Sequence, residues 1–130
     1  MDVIFYEKIG CINNTKQKKL LTRSGHRVIN KDILEHLWTK KELVRFFSGK
    51  KIEECFNRSH PRIKSLEIDI NNINFDRALS MMILDPLLIR RPLMIIEGRH
   101  MIGFELDVLR NMLRLVESPD RYEFEHCPKF

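Results

Sequence analysis

An α/β fold built on a mixed four-stranded sheet is what this sequence predicts, and three observations carry it. Val3 to Tyr6 form a β-branched and aromatic run at the very start of the chain, which suits a central strand that enters the fold at once. One helical stretch separates that run from a second strand at His26–Asp32, the spacing of a parallel βαβ unit. Two short apolar runs, Leu93–Glu97 and His100–Phe104, are separated only by Gly98 and Arg99, which makes them an antiparallel hairpin.

Each element has its own local grounds. Gly10 permits a turn after the first strand, and Asn13, Asn14 and Thr15 offer cap chemistry to a helix that carries Ile12, Leu20 and Leu21 and closes at Ser24 and Gly25. Thr39 and Glu42 form a capping box ahead of Leu43, Phe46 and Phe47, with Gly49 as the stop. A short helix is expected around Ile52, Cys55 and Phe56. Asn74 precedes Phe75, Ala78, Leu79, Met82 and Ile83, a helical stripe that ends at Asp85 and Pro86. A final helix presents Leu106, Leu109, Met112, Leu113 and Val116. The order is that of a thioredoxin-like fold: one domain over residues 1–118, a helical segment inserted at about 37–85, and a tail at 119–130.

Composition narrows the function classes. A chain of 130 residues with 43% hydrophobic content suits one domain with a real core. Its net charge of +5 fits an anionic small substrate or an acidic protein partner, whereas no aromatic-interleaved basic cluster or zinc spacing supports direct nucleic-acid recognition. The five histidines lie in separate segments, so no metal site is assigned. Three cysteines without a CxxC pair argue for a reducing compartment. The first residues do not read as a signal peptide, and the longest apolar region is broken by Asp85, Pro86, Arg90 and Arg91. A cytoplasmic protein without membrane contact is the expectation.

The candidate chemistry centres on Cys11. A cysteine at the start of a helix faces unpaired N–H groups and the positive end of the dipole, which favour the nucleophilic thiolate. Lys16 adds positive charge where its side chain folds back, and Asn14 either caps the helix or hydrogen-bonds the thiolate. Cys55 sits on an apolar helical face and reads as core. Cys127 is assigned no role, with a resolving thiol for Cys11 as the alternative.

Three stretches taken together, FYEKIGCINNTKQKKLL, WTKKELVRFFSGKKIEECFNRSHPRIKS and LDPLLIRRPLM, resemble the nitrogenase-associated branch of the arsenate reductase (ArsC) and Spx-like family. The resemblance implies a thioredoxin-like core in which Cys11 falls on the nucleophile, Arg58 and Arg91 on anion-binding arginines, and Pro92 on a site-shaping cis-proline. It implies no bound cofactor; glutathione becomes a candidate co-substrate, and glutathione or a glutaredoxin-like protein a candidate partner. Arginine suits the anion role because its N–H groups are planar and keep their charge. Since Arg90 and Arg91 are adjacent, an extended segment points only one of them at the cysteine, and Arg91 is the choice. The sequence departs from many family reductases at HMIGFEL, where Gly103 stands in place of a third arginine.

Two functional expectations follow. The first is a cytosolic thiol-dependent redox protein that works through a mixed disulfide or thiol adduct at Cys11, reduces arsenate poorly or not at all, and is tied to nitrogen fixation. The second is a noncatalytic Spx-like module that binds a protein with the same surface.

Overall fold

The computed structural model of the chain describes residues 1–116. The chain opens on β1 (Asp2–Glu7), α1 (Ile12–Arg23) and β2 (Arg27–Asp32). Next come α2 (Lys40–Phe47), α3 (Pro61–Lys64) and α4 (Phe75–Leu84), then β3 (Leu93–Ile96), β4 (Arg99–Ile102) and α5 (Leu106–Met112). The sheet order is β2-β1-β3-β4. β1 pairs parallel with β2 from Asp2↔Arg27 to Glu7↔Asp32, and antiparallel with β3 from Val3↔Ile96 to Tyr6↔Leu93. The predicted mixed thioredoxin-like sheet is therefore present, with β1 and β3 in the middle.

Alternation along the central strands sorts side chains into two cores. Val3, Phe5, Met94 and Ile96 pack with Leu20 and Leu21 of α1 and Leu109 of α5. Tyr6 and Leu93 face the other way, into a larger cluster with Leu43 and Phe46 of α2, Leu79 and Met82 of α4, and Trp38. α2 fits its predicted capping box: Thr39 accepts the Glu42 N–H, and Leu43, Phe46 and Phe47 are buried.

Several local expectations are corrected. The N-cap of α1 is Cys11 rather than Asn13, Asn14 or Thr15, because the chain turns tightly just before it. The Cys11 N–H donates to the Lys8 carbonyl at 3.1 Å, and Gly10, third in that four-residue turn, adopts φ +87°, where a type II turn takes glycine. Ile12 is half exposed, and the inner face of α1 instead carries Asn13, Asn14, Gln17, Leu20 and Leu21. The short helix expected around Ile52, Cys55 and Phe56 is a 3₁₀ turn at Ile52–Cys55, and Phe56 beyond it bridges to Ile89. The hairpin turns at Glu97 and Gly98, with Arg99 already paired to Ile96. α5 stops at Met112, before Leu113 and Val116. The short α3 was not anticipated; its signal is Pro61 at the first helical position behind His60, whose Nδ1 accepts the Arg62 N–H at 3.1 Å. The tail, including Cys127, lies outside the described residues.

Candidate functional site

The sheet register places the candidate residues. Tyr6↔Leu93 is the last β1–β3 pair, so the chain beyond it supplies the Lys8–Cys11 turn from one strand and the Arg91–Pro92 step from the other, at the same end of the sheet. The Arg91–Pro92 peptide bond is cis. The Pro92 carbonyl accepts the Gly103 N–H at 2.9 Å, which brings the end of β4 to the same place.

Cys11 is held from several directions. Its carbonyl accepts both the Thr15 N–H and the Thr15 hydroxyl at 3.1 Å. Asn14, 2% exposed, neither caps α1 nor lies open to solvent. Its Oδ1 accepts the Lys8 N–H at 3.3 Å, and its amide donates to Gln17 Oε1 at 2.9 Å. The inner face of α1 thus braces the turn that leads into Cys11, itself buried, through buried polar groups that satisfy one another. Beside this turn Glu7, also buried, takes Lys18 Nζ at 2.9 Å on Oε1 and 2.7 Å on Oε2. The second oxygen is in ionic contact but lacks hydrogen-bond geometry. Lys16 on the same helix is half-buried.

The two adjacent arginines part company. Arg90 is occupied structurally: its N–H donates to the Cys55 carbonyl at 2.9 Å, and its guanidinium reaches the Glu54 carbonyl and, at 3.4 Å, Glu105. Arg91 is 5% exposed, and its Nε and Nη1 have no hydrogen-bond partner among the described residues. Leaving a buried charged donor unsatisfied costs on the order of 1–3 kcal/mol or more, and buried cations in proteins are ordinarily paired. An anion at this end of the sheet would accept those N–H groups.

Arg58 stands apart from Arg91. It is exposed in the turn after Phe56. In the antiparallel contact where Phe56 meets Ile89 and the Asn57 N–H donates to the Leu88 carbonyl at 2.7 Å, Arg58 and Arg91 run in opposite directions. No described contact joins Arg58 to Cys11. At position 103 the glycine has φ +79°, so the place of the third arginine is a left-handed turn residue as well as one without a side chain.

Cys11 is itself buried, at 4% exposure, and Cys55 lies deeper, in the larger apolar cluster. Cys55 is fully buried, and desolvation pushes its thiol from 9.0 up to about 12, with Arg90 opposing the rise and Glu54 adding to it. Neither cysteine is in a disulfide. Among the described residues no group of three or more His, Cys, Asp or Glu is placed to hold a metal ion, and no helix is long and apolar enough to cross a membrane.

Sequence reasoning missed the Asn14–Gln17 brace and the Glu7–Lys18 pair. The first was signalled by amides at positions 13, 14 and 17, on the helix face that should be apolar; a carboxylate ending a strand gives no comparable signal.

Comparison with known proteins settles the family. The family model described as ArsC family matches residues 10–112, from the turn before Cys11 through α5. The chain belongs to the ArsC family. An uncharacterized 15.7 kDa protein in the draG 3' region of Rhodospirillum rubrum is 39% identical over 127 residues, covering 98% of this chain and 88% of that protein. The global transcriptional regulator Spx 2 of Bacillus cereus is 27% identical over 113 residues, 85% of this chain and 86% of the regulator. Among solved structures, an ArsC family related protein from Bacteroides fragilis superposes with a TM-score of 0.74 at 22% identity, covering 86% of this chain and 99% of that one. This ArsC-family chain therefore has the arsenate reductase-like form of the thioredoxin fold, with Spx regulators among its relatives.

Proposed function

We propose that the chain is a thiol-dependent redox protein in which Cys11 forms a mixed disulfide or thiol adduct with a substrate whose anionic group is held by Arg91. The observation that carries this reading is the buried Arg91 guanidinium, whose Nε and Nη1 have no hydrogen-bond partner among the described residues, on a segment that reaches the same end of the sheet as the Cys11 turn. In the disulfide form of the reaction the Cys11 thiolate attacks one sulfur of a substrate disulfide. A new S–S bond forms, the old one breaks, and the second sulfur leaves as a thiol after taking a proton from solvent. The thiolate of a reductant, glutathione or a glutaredoxin-like protein, then attacks the substrate sulfur of the mixed disulfide, so that a reductant–substrate disulfide forms and Cys11 leaves as the thiolate. Free Cys11 and Cys55 suit a reducing compartment such as the cytosol. A role connected with nitrogen fixation belongs to the same proposal, supported by the resemblance to the nitrogenase-associated branch and by the relative in the draG 3' region.

The noncatalytic Spx-like module is a second reading, favoured by the match to an Spx regulator over 85% of the chain. Ile9 and Ile12, 71% and 50% exposed on either side of Cys11, suit a protein partner under both readings, because a small hydrophilic thiol leaves them uncovered.

The anion site is tested by protection. Inorganic phosphate is expected to slow iodoacetamide labelling of Cys11 in the wild type, and this protection is expected to weaken by about one to two powers of ten in phosphate concentration in Arg91→Gln, the range for losing one charged donor. Equal protection in both proteins, or none in the wild type, contradicts the role given to Arg91.

A further inference from the structure

We infer that the solvent face of α2 is a docking surface for an acidic protein segment, separate from the Cys11 site. Its inner residues Leu43, Phe46 and Phe47 are buried, and they belong to the cluster on the opposite side of the sheet from α1. Its outer residues are Lys40, Lys41, Val44 and Arg45. Lys40 is engaged by Asp76 at 2.8 Å. Lys41 and Arg45 have no ion pair among the described residues, and their spacing of four sets them side by side.

The spacing of Lys41 and Arg45 does not itself stabilise the helix. Like charges four apart repel, and Lys40 and Lys41 occupy the first two helical positions, where the dipole disfavours cations. Arg45 lies in the last turn, where the dipole favours a cation, as Arg23 does in α1, so the disfavoured charge is that of Lys41. The acid within α2, Glu42, is already bonded by His36 at 2.7 Å and by Thr39. An eight-residue helix that keeps a lysine in its first turn, four residues from an arginine, both unpaired among the described residues, departs from the local rules its capping box obeys, and such departures gather at functional surfaces.

The occupant follows from what surrounds the charges. Val44 is 44% exposed between the cations, and Leu37, two residues ahead of the cap, is 89% exposed. An acidic segment that also carries aliphatic side chains complements both features. Nucleic acid fits less well, because Trp38, Phe46 and Phe47 are buried and offer no stacking platform. A membrane surface fits less well because the helix exposes a single aliphatic side chain of its own.

The test is an amide-resolved NMR titration of the full chain with a short peptide of glutamate and leucine, beside a DNA duplex and phosphatidylserine vesicles. The peptide is expected to shift amides across residues 37–51 and to release with added salt. Its affinity should fall roughly tenfold in the double variant Lys41→Glu/Arg45→Glu, with two interface charges reversed, while thermal stability holds or rises and Cys11 labelling stays unchanged. The double variant Lys19→Glu/Arg23→Glu carries the same net charge and is expected to bind as the wild type does. Equal weakening in both variants means attraction to net charge alone and overturns the inference. So does tighter binding of DNA or vesicles, an absence of shifts on α2, or unfolding of the α2 variant.

Discussion

Cys11 and Cys55 carry the same functional group, one at a helix start and one in the apolar core, and their chemistry should separate accordingly. Cys11, 4% exposed, is the N-cap residue of α1 at the end of the sheet, where a helix start favours a thiolate, whereas Cys55 has no exposure and its thiol is pushed up to about 12, chiefly by desolvation. Competitive alkylation of the native protein is expected to modify Cys11 first, and prior labelling of Cys55 would remove the basis for the active-site assignment. The raised thiol also sets a pH dependence. An acid whose folded value lies above its unfolded one binds more protons in the native state, so its stabilising contribution is complete below pH 9.0 and is lost as pH rises toward about 12. Tyr6, raised by burial and by Glu42, acts in the same direction. Denaturation midpoints measured across the alkaline range should therefore decline, and decline less steeply in Cys55→Val. At this scale the sequence was informative at Pro92, whose bond to Arg91 is cis as the resemblance implies, and at Cys55, which lies in the core as its apolar neighbours suggest. It misled at Asn14, because an amide next to a helix start reads as a cap, whereas here a turn closed by Gly10 starts the helix early and carries Asn14 into the interior.

The elements whose limits were read correctly are those with a chemical stop. α2 runs from its Thr39 cap to just before Gly49, and α4 runs from its Asn74 cap to Asp85 and Pro86. α5 has no stop of that kind. Its apolar spacing continues through Leu113 and Val116, yet the helix ends at Met112, where the Val116 N–H turns to Ser24 Oγ at 3.0 Å and the Arg114 carbonyl to His26 at 2.6 Å. Tertiary hydrogen bonds overrode the periodicity there, and nothing in the local sequence announces them. The capping box of α2 is the feature most open to measurement: Thr39→Ala should lower stability by about 1 kcal/mol, and Phe46→Ala, which removes a ring buried against α2's neighbours in the core, by about 3–5 kcal/mol. Chemical denaturation of the two variants checks the order, and equal losses would mean that the helix is held by something other than its buried face.

For the whole molecule, the thioredoxin-like arrangement was legible because strand order follows from connection length: one helix between parallel strands, one turn between antiparallel ones. The site was legible only in part, because where Arg58 lies relative to Arg91 depends on the Phe56–Ile89 contact, a pairing of distant segments that no local pattern encodes. That pairing leaves Arg58 exposed, and Gly103 supplies no side chain, so Arg91 is the one buried guanidinium at the Cys11 end among the described residues. An attacking thiolate and a charged oxyanion repel, and each absent cationic donor costs roughly 1.5–3 kcal/mol, about one to two powers of ten in rate. Arsenate reduction with glutathione and glutaredoxin is accordingly expected to be slow or absent, and rapid turnover abolished by Cys11→Ser would contradict this. The central claim, that Cys11 is a redox-active nucleophile, is tested most directly by mass spectrometry of the intact protein after exposure to glutathione disulfide. The account predicts a single glutathione adduct, mapped to Cys11, absent from Cys11→Ser and removed by a thiol reductant; no adduct, or one that persists in Cys11→Ser on Cys55, would contradict it.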